Sequence, residues 1–170
     1  SLHRPSTRDW VVQKVVFYPK RPTRPQRKMT QHTLPVSLVV LDTNIVLDVW
    51  LYQDPATPAL RHAIENRQIG WIATEPMREE LRRVLDYPHI AARRQKAPLT
   101  VDQFMACFDA HAQMKTVALR APYVCKDADD QKFIDLAVAH QATLLSKDKQ
   151  VLKMTRRLAA LGVPVRTALT

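Results

Sequence analysis

Apolar and polar stretches alternate along the chain in a way that predicts strands and helices in turn. Val36 to Leu41 is a β-branched and aliphatic run that stops at Asp42, and a largely buried helix, Thr43 to Leu51, begins at once. A turn at Gln53 to Ala56 leads to a second helix, capped by Thr57 with Pro58 at its first position. Ile69 to Ala73 is a short buried strand. Thr74 then opens a third helix, which runs to about Asp86, where Tyr87 and Pro88 stop it. Thr100 to Gln103 is a capping-box pattern for a helix ending near Met114, and a strand at Thr116 to Leu119 follows. Asp127 to Ala139 reads as helix, Thr143 to Ser146 as strand, Lys149 to Leu161 as helix, and Val163 to Thr167 as a last strand beyond Gly162. This alternation predicts an α/β fold, a three-layer α/β/α sandwich around a mostly parallel sheet.

The same periodicity sorts the acids. In MREELRRVLDY the apolar stripe is Met77, Leu81, Val84 and Leu85; Glu80 shares it, whereas Glu79 lines up with Arg82 and Arg83 as a solvated ion-pair partner. Asp130 shares the stripe of Phe133, Ile134 and Ala137, while Asp127 and Asp129 suit a helix cap or first turn. An irregular helix start would exchange the roles of Asp129 and Asp130. Asp42 and Asp148 each follow a strand and precede a helix, the place where a parallel sheet keeps its chemistry.

Four carboxylates at one sheet edge repel one another, and burying them unpaired is costly. Mg²⁺ or Mn²⁺, which prefers oxygen ligands and keeps several waters, resolves the conflict and leaves water available to attack a phosphodiester. The plainer alternative makes Asp42 and Asp148 helix caps, Asp130 a first-turn acid and Glu80 the partner of an arginine.

Composition narrows the picture. With 170 residues, 46% of them apolar and two glycines, the chain can bury one ordinary core. Of the net charge of +10, residues 1–35 carry +7, with eight Lys or Arg against one acid. We therefore divide the chain into a basic, Pro- and Arg-rich extension at 1–35, expected to stay solvated, and one globular domain at 36–170. Within the extension, Trp10 to Tyr18 has strand-like composition suited to a sheet edge or another chain. Ser1 is not a start residue and Met29 lies just before the first strand, so residues 1–28 are expected to be adventitious. No signal peptide and no run of about 18 apolar residues is evident, which leads to the expectation of a soluble, cytoplasmic protein without a membrane partner. Cys107 and Cys125 read as isolated buried thiols.

Four motifs together resemble the PIN-domain nucleases, specifically the bacterial branch of toxins from toxin-antitoxin pairs: LDTN at 41–44, MREELRRVL at 77–85, DADDQKFIDLA at 127–137 and LLSKD at 144–148. Each is weak alone; the ordered set, within residues 36 to about 168, is specific. The resemblance implies a metal-dependent endoribonuclease whose acids Asp42, Glu80, Asp130 and Asp148 hold Mg²⁺ or Mn²⁺, with Asn44 orienting Asp42 or a water. It further implies in-line attack on a phosphodiester by a metal-activated hydroxide, an antitoxin whose tail blocks the acidic cleft, and a homodimer. Ser146 stands where the family commonly has threonine, and the hydroxyl is retained. Asp48, one turn after Asn44, is either an outer hydrogen-bonding partner or a solvent- or partner-facing acid. Val49, Trp50 and Leu51 suit an interface or, equally, the core.

RNA must also be held. Lys126, Lys132, Lys147 and Lys149 flank the acidic motifs, and Arg93, Arg94 and Lys96 form a short basic cluster; each reads as a phosphate contact or as an ordinary surface cation. His62, His89, His111 and His140 have no partner that marks them as catalytic. A haloacid-dehalogenase-type phosphohydrolase would want an acid where Asn44 stands, and a two-component receiver domain has no place for Glu80. From another class, a catalytically silent RNA- or protein-binding module on the same fold stays open.

Overall fold

The computed structural model describes residues 36–169. The basic extension, with its strand-like Trp10 to Tyr18, lies outside the described residues.

Five strands form one sheet in which every pairing is parallel: β1 (Leu38–Leu41), β2 (Gly70–Ala73), β3 (Ala112–Met114), β4 (Thr143–Leu145) and β5 (Val165–Arg166), in the order β3-β2-β1-β4-β5. Eight α-helices flank it, giving a three-layer α/β/α sandwich: α1 (Thr43–Trp50), α2 (Pro58–Glu65), α3 (Glu75–Val84), α4 (Pro88–Lys96), α5 (Val101–His111), α6 (Gln131–His140), α7 (Lys149–Leu152) and α8 (Thr155–Ala160). Strands covered on both faces must be apolar throughout, and β2 and the last three residues of β1 are fully buried. On one side of the sheet Trp50 stacks on Trp71 at 4.9 Å between ring centroids, and Phe108 meets Trp71 edge-on at the same distance.

Four stretches differ from the sequence reading. The strand expected at Thr116 to Leu119 is instead Ala112–Met114, and α5 ends three residues early at His111. Edge pairing decides this: Ala112, Gln113 and Met114 are in register with Trp71, Ile72 and Ala73, so the better β-formers downstream fall beyond the ladder and Leu119 is 91% exposed. Pro88 does more than end α3. It begins α4, where its missing N–H costs nothing, and this helix was not anticipated. The helix expected from Asp127 starts as a 3₁₀ turn, Ala128–Asp130, because the Asp127 carboxylate captures the Asp129 N–H at 3.0 Å and competes with the helical pattern. The segment expected as one helix at 149–161 likewise breaks into α7 and α8.

From β1 the chain winds to β2 on one side, whereas β4 lies on β1's other side. The C-terminal ends of β1 and β4 are therefore the point where strand order reverses, the crevice at which open α/β sheets bind ligands. Among the described residues, no helix is long and apolar enough to cross a membrane.

Candidate metal centre

The reversal point brings Asp42 and Asp148 to neighbouring strand ends, and one hydroxyl joins them. Asp42 is 4% exposed, caps α1 by accepting the Ile45 N–H at 2.9 Å, and accepts the Ser146 hydroxyl on its other oxygen. Ser146, itself fully buried, accepts the Asp148 N–H at 3.1 Å. A serine oxygen has one proton to give and lone pairs to receive, so this position ties the two loops with a single side chain. Asp148 caps α7 through the Gln150 N–H at 2.7 Å, using one oxygen and leaving the other. Burial raises the Asp42 carboxyl above its usual range, opposed by the bonds from Ser146 and the Ile45 N–H.

Asp127, Asp130 and Asp148 each place a carboxylate oxygen within 4.8 Å of the others. The hydrogen-bond pattern behind this is local: Gln131 is buried, accepts the Cys125 N–H at 2.6 Å and donates to the Tyr123 carbonyl and to Asp135, which accepts the Ala121 N–H. These bonds fasten the 121–125 segment to α6 and so set the loop that carries Asp127. They also account for Asp135 as a structural residue.

Asp130 is the electrostatic focus. Desolvation, then the like charges of Asp148, Asp127, Asp42 and Glu80 in that order, push its carboxyl up to about 7. Of three buried side-chain polar atoms without a hydrogen-bond partner among the described residues, two are here: Asp130 Oδ2 and Glu80 Oε2. Glu80 faces in, 20% exposed, while Glu79 faces solvent. Lys132 Nζ lies 2.8 Å from Glu80 Oε2 without hydrogen-bond alignment and donates instead to the Asp129 carbonyl at 2.6 Å. The irregular start of α6 does not exchange the two neighbouring acids. Asp129 is exposed and Asp130 is turned in.

The sequence set thus divides. Asp130 and Asp148 converge, and Asp42 and Glu80 act on Asp130 from the next positions outward. Asp127, assigned from sequence to a cap, does cap the 3₁₀ turn and also joins the converging trio. Its three-residue spacing from Asp130 was the available signal. Asn44 is exposed beside Asp148, lining a cleft of about 540 Å³ with Tyr52, His89, Lys147 and Lys149. Asp48 is ion-paired to Lys147. Arg94 belongs to the fold rather than to a free basic patch: it is 12% exposed, donates to the Leu85 and Leu99 carbonyls and lies 3.6 Å from Asp86. Lys126, Lys147 and Lys149 are exposed, and Arg93 is half-buried.

A trio of hard oxygen donors, one oxygen buried without a partner and a carboxyl held near neutrality fits a divalent cation. Asp127, Asp130 and Asp148 are the residues that would hold it.

The family model of the PIN domain matches residues 38–150. Among solved structures, the chain is similar to a PilT N-terminus domain protein from the hyperthermophilic archaeon Sulfolobus solfataricus P2, at 14% identity and a TM-score of 0.38, with 76% of this chain and 85% of that chain covered. No curated protein matches it.

Proposed function

The chain belongs to the PIN-domain family, and from that premise we propose that residues 36–170 form a Mg²⁺- or Mn²⁺-dependent endoribonuclease, the toxin of a toxin-antitoxin pair. The observation that carries this reading is the convergence of Asp127, Asp130 and Asp148 around a carboxyl pushed up to about 7 with one oxygen unpartnered. When bound, the ion supplies positive charge for the phosphodiester oxygens and acidifies water at neutral pH. The protein's own residues do the rest. Asp127, Asp130 and Asp148 hold the ion. Ser146 fixes Asp42 and the Asp148 backbone relative to each other, Glu80 adds negative charge beside Lys132, and exposed Asn44 orients Asp42 or a water at the mouth of the site. Exposed Lys126 and Lys149 supply cations for the flanking phosphates.

RNA cleavage in Mg²⁺ or Mn²⁺ tests this, with EDTA and the variants Asp42→Asn and Asp130→Asn as controls. Cleavage is expected with metal alone and is expected to be lost in each control. Cleavage that survives both substitutions removes the metal-nuclease reading of this site, and absence of cleavage by the unaltered chain in either metal favours a binding module on the same fold. The antitoxin and the homodimer rest on the toxin-like motif set. Co-purification with the product of an adjacent reading frame and the mass of the isolated protein in solution test them separately.

A further inference from the structure

Beside the acidic trio, the cleft of about 540 Å³ is lined by Asn44, Tyr52, His89, Lys147, Asp148 and Lys149. Asp48 lines it too, ion-paired to Lys147, and Asp148 belongs to both the cleft and the trio, so the aromatic ring and the cations of the cleft lie next to the acids. Tyr52 follows α1, held by its N–H to the Leu47 carbonyl at 2.8 Å, and the residue is 37% exposed. An aromatic ring presented to a cleft that also holds lysines is the combination single-stranded nucleic acid uses, a stacking face beside partners for phosphate. His89 and Arg93 sit one turn apart on α4, and the Arg93 guanidinium stands 6.0 Å from the centre of the Tyr52 ring. The helix that sequence periodicity did not foresee therefore braces the aromatic ring and lines the cleft.

Resting on the nuclease reading above, we propose that this cleft is a subsite for one unpaired nucleotide next to the scissile phosphate, its base stacked on Tyr52 and its phosphate met by Lys149 and His89. Lys147 is engaged with Asp48, whereas Lys149 also lines the cleft, is exposed and has no ion pair among the described residues. A base can lie on an aromatic face only after leaving its own stack, so the subsite selects single-stranded over duplex RNA. The aromatic face carries no base-edge code, so sequence preference at this position is weak.

The test is anisotropy of a labelled single-stranded RNA oligonucleotide, and of the same strand in a duplex, with cleavage measured in parallel on the unaltered chain. Binding is read in an Asp130→Asn background, where the strand stays intact. Tyr52→Ala is expected to weaken single-strand binding about tenfold, Tyr52→Phe less than about threefold, and Lys149→Ala to weaken it with a shallower salt dependence. The duplex is expected to bind about tenfold more weakly than the strand. Thermal melts show whether Tyr52→Ala stays folded, and the phenylalanine variant keeps the ring in any case. Cleavage of the single strand with binding indifferent to Tyr52→Ala overturns the subsite and leaves the nuclease reading standing. Sensitivity to Lys149→Ala alone, with duplex and single strand bound equally, also overturns it, as a backbone track. Absence of both binding and cleavage removes the two readings together.

Discussion

Asp48 and Asp130 are both partly buried acids at the mouth of the same sheet, yet the fold treats them oppositely. Asp48, 14% exposed, has Lys147 against it, and that contact raises the lysine's pKa as an ion pair should. Asp130 faces Asp127, Asp148, Asp42 and Glu80, and its Oδ2 has no partner. A carboxylate answered from within needs nothing more. One surrounded by its own sign is stable only if it stays protonated or if a cation comes from outside. The contrast separates a structural acid from a site, and each acid can be changed to break it.

The largest effect is expected at the focus. Asp130→Asn keeps the shape and removes the charge, so RNA cleavage should fall at least about 100-fold, the upper end of what even an outer partner of a metal ligand costs. The metal-free variant should meanwhile melt higher than the unaltered chain at pH 8, because a repulsion is gone. Lower melting together with lost activity would mean that Asp130 is a structural acid like Asp48. Next come the neighbours Asp127 and Asp129. Asp127→Asn should weaken Mn²⁺ binding, followed by isothermal titration, about tenfold or more, and Asp129→Asn should leave it within about twofold, since its side chain is exposed. Equal losses would spread the site over both.

Ser146→Ala removes the donor from a carboxylate that is 4% exposed. Leaving such a group unsatisfied costs about 1–3 kcal/mol, a fall in Tm of roughly 3–10 °C for a domain of this size. Ser146→Thr should restore most of it. If the alanine variant melts normally, Asp42 is held by its Ile45 cap alone.

The internal answer to Asp48 and the missing answer to Asp130 differ in how legible they were. β1 and β2 were readable because a strand buried on both faces has no choice of residue, and Glu80 was separable from Glu79 because α3 is regular enough for phase to mean direction. At 127–130 phase placed Asp130 inward and Asp129 outward but did not show that Asp127 joins them at the site. There a side chain captured a backbone N–H, and the resulting turn carried Asp127 to Asp130 and Asp148. α4 was hidden by a proline that both ends one helix and begins the next, and β3 by pairing that favoured Ala112–Met114 over more β-prone residues downstream. The pairings of Asp48 with Lys147 and of Ser146 with Asp42 span about 100 positions, beyond any local pattern.

A pH series sharpens the contrast without a substitution. The folded-state pKa of Asp130 is raised to about 7, so the folded chain binds a proton more readily than the unfolded one there. Its contribution to stability is full below the ordinary carboxylate range and is lost as pH rises through about 7. The metal-free protein should therefore lose Tm between pH 5 and 8. Saturating Mg²⁺ should flatten the slope, and so should Asp130→Asn. A slope unchanged in the variant would assign it to another group.

The smallest effect is expected where the fold has already met the charge. Asp48→Asn breaks an ion pair whose lysine side chain is 48% exposed, and solvent screens such pairs to about 1 kcal/mol or less. Tm should fall by no more than roughly 2–4 °C, and the difference should shrink in about 0.5 M salt. Mn²⁺ affinity should stay within about threefold, because Asp48 is outside the converging trio. A loss of affinity as large as that of Asp127→Asn would mean that the pair, through Lys147, positions the neighbouring Asp148. Asp48 would then belong to the site, and the division between answered and unanswered acids would no longer mark where the chemistry lies.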